Sequence, residues 1–399
     1  MINKKALELG SSPSVIRDLF EYGRKRKLEI GEDNVFDFSI GNPSVPAPDC
    51  VNKALINIIT NTEPTVLHGY TSAVGDKNVR EEISNYLNKT YNANTNSNLI
   101  YLTAGAAASL TCTLNAILNE GEEVIVFAPF FPEYKVFIEK AGGKIKKVNP
   151  LEPSLKPNLV EFENSITNKT KAVIINFPNN PTGVVLNKQE IEQICEILNR
   201  KQTELNKQIF LISDEPYREL IYSNIEYPFI TNFYDNSIVC YSFSKSISLP
   251  GERIGYILVN TQCIDSKNVY LAICGAGRSL GYVCAPSLFQ YVLPFCLGKT
   301  SDLTIYKENR DLLYNALVEY GYNVTKPDGA FYLFVKALEE DANKFSDIAK
   351  KYELLLVPSD SFGVNGYVRI CYCVSKKQIE NSLPAFKKLI EFYKNKGNK

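Results

Sequence analysis

Short apolar runs alternate with amphipathic segments through the middle of the chain. Between residues 98 and 260, β-rich runs such as EEVIVF, KAVIINF, QIFLIS and NSIVCYS recur, and segments with helical spacing of apolar positions separate most of them. This alternation predicts a mainly parallel sheet with helices on both faces. In such sheets the ligand-binding side chains lie just beyond the ends of the strands.

The pattern changes towards the C-terminus and predicts a second, smaller unit. Long helical segments begin at about Cys284, and the apolar runs GAFYLFV and YVRICYC then alternate with helical segments. We therefore predict an α/β fold in which residues 46–285 form a large domain around the mainly parallel sheet. Residues 1–45 and 286–399 would form a smaller α+β domain, and Ser12, Pro13 and Ser14 would start a helix of its N-terminal arm.

Composition narrows the class of protein. With 399 residues, 45% of them hydrophobic, the chain can bury a sizeable core. The 44 basic residues balance the 44 acidic ones, so the overall field attracts neither nucleic acid nor an anionic membrane. The first residues lack the apolar run of a signal peptide and no later run is long enough to span a membrane, which predicts a cytoplasmic protein.

The cysteines and the histidine argue against a metal site. The ten cysteines include no Cys-x-x-Cys pair and are interpreted as reduced, mostly buried thiols. The single histidine, His68, excludes sites built from several histidines and argues against a Ser-His-Asp hydrolase. No metal site is predicted.

One lysine stands in a setting that suits covalent chemistry. Lys245 follows an apolar, strand-like run, is flanked by Ser242, Ser244 and Ser246, and is followed by Arg253. Burial and a nearby arginine disfavour the ammonium form of a lysine, and the free amine can form a Schiff base with a carbonyl. The hydroxyls and the guanidinium suit a phosphate. Taken alone, the same residues also describe a serine-rich turn with a surface lysine.

Other strand ends carry groups with the same ambiguity. The small residues 103–108 at a helix start would let backbone N–H groups approach a phosphate, although close helix packing also explains the alanines. Asp214 follows QIFLIS and is either a cap or ion-pair partner, or a carboxylate that keeps a heterocyclic nitrogen protonated. Tyr217 could donate a hydrogen bond to a ring oxygen. Arg369 lies in an apolar strand, where it would meet a ligand carboxylate or an internal acid.

In order and combination these segments resemble the class I, fold-type I pyridoxal-phosphate-dependent aminotransferases of the aspartate and aromatic type. The resemblance covers nearly the whole chain, and the joint presence of NNPTG, DEPY, SFSK and RIG makes it specific. The residues that carry it are Gly41-Asn42-Pro43, Tyr70, Gly105-Ala106-Ala107, Phe131, Asn180-Pro181-Thr182-Gly183, Asp214-Glu215-Pro216-Tyr217, Ser242 to Lys245, Arg253-Ile254-Gly255 and Arg369.

The resemblance implies a role for each of these positions. Lys245 would form the Schiff base with pyridoxal phosphate and then move the proton between the substrate Cα and the cofactor, while Asp214 would pair with the pyridine nitrogen. The other cofactor contacts would be Asn180 and Tyr217 at the phenolic oxygen, Phe131 on the ring, and Gly105, Ala106, Ala107, Ser242 and Arg253 at the phosphate. Arg369 would bind the substrate α-carboxylate with help from Gly41 and Asn180.

The implied reaction joins two small molecules on a dimeric enzyme. An L-amino acid would give its amino group to a 2-oxo acid such as 2-oxoglutarate by a ping-pong mechanism, with no nucleic-acid or membrane partner. Aspartate is the first candidate donor, and aromatic amino acids and alanine follow. Tyr70 would reach the phosphate of the neighbouring subunit, which implies a homodimer with shared active sites, and the loop 361–366 would close over the substrate.

Two departures bear on the substrate. Ala107 stands where some bacterial aspartate aminotransferases have a lysine that recognises the side-chain carboxylate, which argues against aspartate. Arg278 lies near the place where other members bring a side-chain-binding arginine from the partner subunit, and the other interpretation is a surface or interface arginine. The aromatic residues of PFFPEY could instead favour aromatic substrates.

Two other functions compete with this interpretation. A cysteine-S-conjugate β-lyase of the same fold would use the same lysine and aspartate to eliminate a leaving group. A transcription regulator with an aminotransferase-like domain would need a separate DNA-binding domain, and the resemblance begins too near residue 35 for one. The balanced charge argues against DNA binding as well.

Overall fold

A computed structural model describes residues 2–11 and 14–397 of the chain. Of the predicted helix start, Ser12 and Pro13 lie outside the described residues. Ser14 is the residue before a helix that spans Val15–Ile30, and its hydroxyl makes no capping hydrogen bond with any described residue. A helix therefore begins where the pattern predicts it, without a side-chain cap.

The described chain contains fifteen α-helices and fifteen strands. The helices are α1 Lys4–Ser11, α2 Val15–Ile30, α3 Asp49–Asn61, α4 Pro64–Leu67, α5 Lys77–Tyr91, α6 Ala106–Ile117, α7 Glu133–Lys140, α8 Leu159–Ser165, α9 Lys188–Leu205, α10 Phe243–Ser246, α11 Ser266–Ser279, α12 Ser287–Cys296, α13 Leu303–Tyr320, α14 Ala342–Lys350 and α15 Lys376–Gly397. The strands are β1 Phe36–Asp37, β2 Ile100–Thr103, β3 Glu123–Phe127, β4 Lys144–Val148, β5 Pro150–Leu151, β6 Lys156–Pro157, β7 Thr170–Ile175, β8 Phe210–Asp214, β9 Ser237–Ser242, β10 Gly255–Val259, β11 Val324–Thr325, β12 Tyr332–Lys336, β13 Leu354–Leu355, β14 Val357–Pro358 and β15 Tyr367–Cys371.

Seven of these strands form the central sheet, in the order β2-β10-β9-β8-β7-β3-β4. Every neighbouring pair is parallel except the two that involve β10, which runs antiparallel to both β2 and β9. The predicted mainly parallel sheet is therefore confirmed. Because β8 and β9 are neighbours and parallel, their carboxyl ends bring Asp214 and the Ser242–Lys245 segment to the same edge of the sheet.

Six of the seven strands are buried on both faces, which explains why they are largely continuous apolar runs and not alternating ones. The edge strand β4 is the exception, with three lysines and partial exposure. Successive side chains of a strand point to opposite faces, so Ile125 and Val173 join one apolar cluster while Val124 and Ala172 join another. The first cluster contains residues of α3, α5, α9 and α12, and the second contains residues of α6, α7 and α11. The predicted helical layers on the two faces are present.

A smaller, wholly antiparallel sheet follows in the order β11-β12-β15-β14. Strand β1 pairs with β13, so the N-terminal segment joins the C-terminal unit. The limits of the two domains stay a prediction, but Val292, Leu293 and Cys296 of α12 pack in the cluster under the large sheet. We therefore propose that α12 belongs to the large domain, which moves the proposed division from residue 285 to about residue 298.

No helix among the described residues combines the length and the apolar composition that crossing a membrane requires.

Candidate active site

One cavity lies at the carboxyl ends of β8 and β9, between the large sheet and the smaller unit. Its volume is about 290 Å³. Every residue that the sequence predicts for the site lines it except Gly105 and Tyr70. The lining consists of Ile16, Ile40, Gly41, Ala106, Ala107, Leu110, Phe131, Asn176, Asn180, Asp214, Pro216, Tyr217, Ser242, Ser244, Lys245, Pro250, Arg253, Tyr332 and Arg369.

Lys245 projects into this cavity from the short helix α10. Ser242 caps that helix, because its Oγ accepts a hydrogen bond from the backbone N–H of Ser244 at 3.2 Å. The Lys245 Nζ donates to the carbonyl oxygen of Gly41 at 2.5 Å. Burial lowers the pKa of the Lys245 ammonium; Cys373 and Cys371 oppose this shift, and the positive charges of Arg253 and Arg369 add smaller lowering effects. The cavity therefore makes the neutral amine easier to form than it is for a lysine in water.

Asp214 is the last residue of β8, and only one of its two carboxylate oxygens has a described hydrogen-bond partner. Its Oδ2 accepts a hydrogen bond from the Tyr134 hydroxyl at 2.5 Å, while its Oδ1 is buried and has no hydrogen-bond partner among the described residues. Burial raises the pKa of Asp214 to about 7, against the lowering effect of the Tyr134 bond. A donor placed in the cavity beside Oδ1 would stabilise the ionised form.

The turn before α6 is shaped for an anion. Gly105 has φ 83° and ψ 176°, a conformation that is essentially restricted to glycine. A Cβ added there would lie 2.7 Å from the Arg253 Nη2, so a side chain would displace the guanidinium. The first N–H groups of the twelve-residue helix α6 follow immediately, and the hydroxyls of Ser242 and Ser244 lie 2.8 Å apart nearby in the lining. Free N–H groups, hydroxyls and a guanidinium together suit a phosphate.

Arg369 is a buried cation that pairs with no acid among the described residues. Its Nη1 donates to the Asn180 Oδ1 at 3.1 Å and its Nη2 to the Ser39 carbonyl at 2.5 Å, whereas its Nε has no described hydrogen-bond partner. The guanidinium lies 4.7 Å from the ring centroid of Tyr332 and 5.2 Å from that of Phe362. No described carboxylate lies within 4.0 Å of it. A ligand carboxylate would supply the missing charge.

The loop 361–366 is packed against the large unit in this structure. The backbone N–H of Phe130 donates to the Phe362 carbonyl at 3.0 Å, and the Lys147 Nζ donates to the Gly363 carbonyl at 2.9 Å. Phe362 is fully buried. The loop thus bridges the two units beside Arg369, and its movement over a substrate stays a prediction.

The structure adds site residues that the sequence interpretation missed. Tyr134 binds Asp214, Tyr332 shares a hydrogen bond of 2.8 Å with the Tyr217 hydroxyl, and Asn176 donates to the Asp214 carbonyl at 2.8 Å. Asn176 also accepts the backbone N–H of Asn180 at 2.9 Å. The positions of Tyr134 and Asn176, three and four residues from predicted site residues, were a local signal that could have found them. Nothing local marks Tyr332.

Besides Gly105, the predicted residues Tyr70 and Arg278 stay outside the cavity within one chain. The Tyr70 residue is 89% exposed, and Arg278 is an exposed residue of α11. Arg278 lines a separate surface cavity with Ala73, Val74 and other residues. Both side chains would need a second subunit to take part in a shared site, so their roles stay predictions.

Comparison with known protein families identifies the family of the chain that forms this cavity. The model of the family described as aminotransferase class I and II matches residues 33–386, a range that contains every lining residue except Ile16. The chain belongs to this aminotransferase family. The resemblance to class I aminotransferases, the α/β fold class and the prediction of a pyridoxal-phosphate-dependent transaminase are confirmed.

Relatives of known name and structure span nearly the whole enzyme. The chain is 31% identical over 395 residues to a probable aspartate aminotransferase of Methanocaldococcus jannaschii, covering 95% of this chain and 97% of the relative. An aspartate aminotransferase of Thermotoga maritima is 28% identical, with coverage of 96% and 97%. A crystal structure of an amino transferase from Eubacterium rectale superimposes with a TM-score of 0.96 at 49% identity, covering 98% of this chain and 99% of that one.

The residues of this aminotransferase fit pyridoxal phosphate. The unpaired Asp214 Oδ1 matches the N–H of a protonated pyridine, and the Lys245 amine matches the aldehyde. The glycine turn at Gly105, which a Cβ would fill, and the adjoining Arg253 match the phosphate. The phosphate, the ring nitrogen and the aldehyde of the cofactor therefore each have a matching group in the cavity.

Proposed function

We propose that this aminotransferase moves the amino group of an L-amino acid to a 2-oxo acid in two successive half reactions at one site. The observation that carries the proposal is that one cavity holds a lysine whose pKa is lowered by burial and a buried arginine that pairs with no described acid. Lys245 would supply the base and Arg369 would hold the substrate carboxylate. For the acceptor, 2-oxoglutarate is the first oxo acid to test.

Different residues around the cavity would bind different parts of the cofactor. When bound, pyridoxal phosphate supplies a carbonyl for imine formation and a ring that delocalises the electron pair left at Cα. Asp214 would accept the ring N–H through its free Oδ1, supported by the Tyr134 hydroxyl on Oδ2. The remaining contacts are proposed for Phe131 on the ring, Asn180 and Tyr217 at the phenolic oxygen, and Gly105, Ala106, Ala107, Ser242 and Arg253 at the phosphate.

The proton at the substrate Cα would be moved by Lys245. A base must be unprotonated to accept that proton, and burial lowers the pKa of this amine, which raises the fraction of the free base at neutral pH. The Gly41 carbonyl holds the Nζ at 2.5 Å. Gly41 itself has no room for a side chain, because an added Cβ would overlap the Tyr332 hydroxyl. The amine would thus stay beside the α-carboxylate site of Arg369.

Arg369 would orient the substrate. A guanidinium that is already desolvated and held by neutral acceptors binds a carboxylate in a defined direction and with less screening than an exposed one. Asn180, hydrogen-bonded to Nη1, would help from the side of the cofactor. Fixing the α-carboxylate would limit the orientations that the substrate can take beside Lys245.

The candidate amino donors are aspartate, the aromatic amino acids and alanine. The names of the relatives favour aspartate, while Ala107 in the lining argues against it; aromatic amino acids and alanine are the other candidates. A cysteine-S-conjugate β-lyase would need the same Lys245 and Asp214, and no described observation favours it over a transaminase.

We further propose a homodimer with shared active sites. The exposed Tyr70 ring and the exposed Arg278 support it, because an aromatic ring exposed to 89% in one chain would be covered by a second copy. A cytoplasmic location stays a prediction.

The absorption spectrum of the holoenzyme tests the proposed function. Wild-type protein should show the band of lysine-linked pyridoxal phosphate, and one or more amino acids should convert it to the pyridoxamine form. Lys245→Ala should lack the lysine-linked band, whereas Lys188→Ala, which removes an exposed lysine of α9, should keep it. A wild-type protein that shows no such band after incubation with the cofactor would refute the assignment of Lys245.

A further inference from the structure

Tyr332 is a lining residue to which the proposed function gives no role. It is the first residue of β12, it is buried, and its hydroxyl shares a hydrogen bond of 2.8 Å with that of Tyr217. Tyr217 follows β8 of the large sheet, whereas β12 belongs to the smaller antiparallel sheet. The bond therefore lies wholly within one chain and joins its two units at the cavity, where both residues are part of the lining.

Strand pairing fixes where the Tyr332 ring lies. In the antiparallel pair of β12 and β15, Tyr332 is opposite Cys371 and Phe334 is opposite Arg369. Residues two apart on a strand share a face of the sheet, so Tyr332 and Arg369 are diagonal neighbours on one face. The guanidinium lies 4.7 Å from the ring centroid, and a Cβ added to Gly41 would overlap the hydroxyl. The ring is thus held between Arg369 and Gly41, which gives its hydroxyl a defined direction.

The number of hydrogens sets the direction of the hydroxyl bond once the cofactor is bound. In the protein alone, either hydroxyl could be the donor. Under the proposed function, Tyr217 donates its hydrogen to the phenolic oxygen of pyridoxal phosphate. A phenol has one hydrogen to donate and can still accept through its oxygen. The hydrogen between the two hydroxyls must then come from Tyr332.

The surroundings keep both hydroxyls protonated and able to donate. Burial raises the pKa of Tyr217, while the hydrogen bond from Tyr332 and the charge of Arg369 lower it. Burial also raises the pKa of Tyr332. The other titratable side chains that act on the pair include Asp214, Cys371 and Cys373. A hydroxyl that accepts a hydrogen bond becomes a stronger donor itself, so Tyr332 would strengthen the bond that Tyr217 donates.

We propose that Tyr332 is a positioning residue: its hydroxyl donates to Tyr217 and thereby directs and strengthens the hydrogen bond of Tyr217 to the phenolic oxygen of the cofactor. The inference rests on the proposed function and adds to it a residue that acts through Tyr217. In the lysine-linked cofactor the same oxygen also holds the proton of the imine nitrogen. A stronger donor on that oxygen weakens this hold, so the two tyrosines together should lower the pKa of the imine.

A pH titration of the absorption spectrum of the holoenzyme measures this pKa, because the protonated and the neutral imine absorb at different wavelengths. Tyr217→Phe should raise the pKa by about 1 to 2, the shift expected when a hydrogen bond to a charged acceptor is lost. Tyr332→Phe keeps the ring beside Arg369 and removes only the hydroxyl. It should raise the pKa by about 0.3 to 0.6, since one hydrogen bond strengthens the next by roughly 10–30% and the released Tyr217 hydroxyl can turn away.

A double-mutant cycle tests whether the effect passes through Tyr217. In the Tyr217→Phe background, Tyr332→Phe should change the imine pKa by less than about 0.1, because the hydroxyl through which it acts is gone.

Tyr322→Phe is the matched control. It removes the hydroxyl of another buried tyrosine in the same apolar cluster, one that donates to the Phe386 carbonyl at 2.8 Å and is not among the described residues that line the cavity. A general loss of packing or stability in the smaller unit would appear in this variant as well. Its imine pKa should stay at the wild-type value.

The outcomes separate the inference from the function on which it rests. A wild-type imine pKa in Tyr332→Phe, beside a raised pKa in Tyr217→Phe, would overturn the inference and leave the proposed function standing. A shift by Tyr332→Phe that persists in the Tyr217→Phe background, or an equal shift in Tyr322→Phe, would overturn it as well. If Tyr217→Phe leaves the pKa unchanged, the proposed contact of Tyr217 fails and the inference fails with it. The absence of a lysine-linked band in the wild type would refute the proposed function itself.

Discussion

Replacing Asp214 with asparagine should stabilise the cofactor-free protein at alkaline pH while weakening its affinity for pyridoxal phosphate. The carboxylate is buried; one oxygen accepts a hydrogen bond from Tyr134, and the other has no hydrogen-bond partner in the described part of the chain. Asparagine has nearly the same shape and can still accept the Tyr134 hydrogen bond through its amide oxygen, but it carries no charge. The substitution therefore removes the cost of the buried charge and little else.

The size of the effect follows from the pKa of Asp214, which burial raises from 3.8 to about 7. Because the folded state holds this proton more tightly than the unfolded state, the stability of the wild type falls as the pH rises from about 4 to about 7. Each pH unit in this window costs about 1.4 kcal/mol. Between pH 5 and pH 8 the asparagine variant should therefore gain about 3 kcal/mol in unfolding free energy relative to the wild type.

Urea unfolding of the cofactor-free proteins at pH 5 and pH 8 measures the unfolding free energy of the variant and of the wild type. Contributions of all other titrating groups, which both proteins share, cancel when the two free energies are subtracted. Asp235→Asn, at an exposed carboxylate, is the control and should change little with pH relative to the wild type. In parallel, pyridoxal phosphate should bind the Asp214→Asn variant at least about tenfold more weakly, since a charge-assisted hydrogen bond is lost. Equal effects of the substitution at pH 5 and pH 8 would refute the reasoning.

Two other substitutions probe the anion sites. Gly105→Ala should weaken the binding of pyridoxal phosphate at least about tenfold, because φ 83° with ψ 176° strains alanine and the added Cβ would displace the Arg253 guanidinium. Fluorescence titration measures the affinity for the cofactor. Gly251→Ala is the control, because its added Cβ has no described atom within 4 Å. Unchanged affinity in Gly105→Ala would count against the phosphate cradle. Arg369→Lys should raise the KM for the amino donor by about ten- to a hundredfold, since an ammonium cannot form the two parallel hydrogen bonds that a guanidinium makes to a carboxylate. Initial rates over a range of donor concentrations measure this KM. Arg24→Lys, at an exposed arginine, is the control, and an unaltered KM in Arg369→Lys would remove the α-carboxylate role.

The sequence by itself determined the mainly parallel sheet and the identity of the residues at its strand ends. Both depend on local order: a buried parallel strand is a continuous apolar run, and the chemical group of a strand end is the next residue along the chain. Asp214 and Lys245 could therefore be chosen without a structure, and the motifs around them identified the family. The proposed roles of these residues remain to be measured.

Only the tertiary structure decided how distant residues meet. Tyr134 and Asp214 are 80 positions apart, Lys245 and Gly41 are 204 apart, and Arg369 and Ser39 are 330 apart. The antiparallel placement of β10 between β2 and β9 is likewise a matter of long-range pairing. Local periodicity carries no information about which strand ends and turns become neighbours, because that depends on the packing of the whole chain. The cavity that these residues line exists only after that packing.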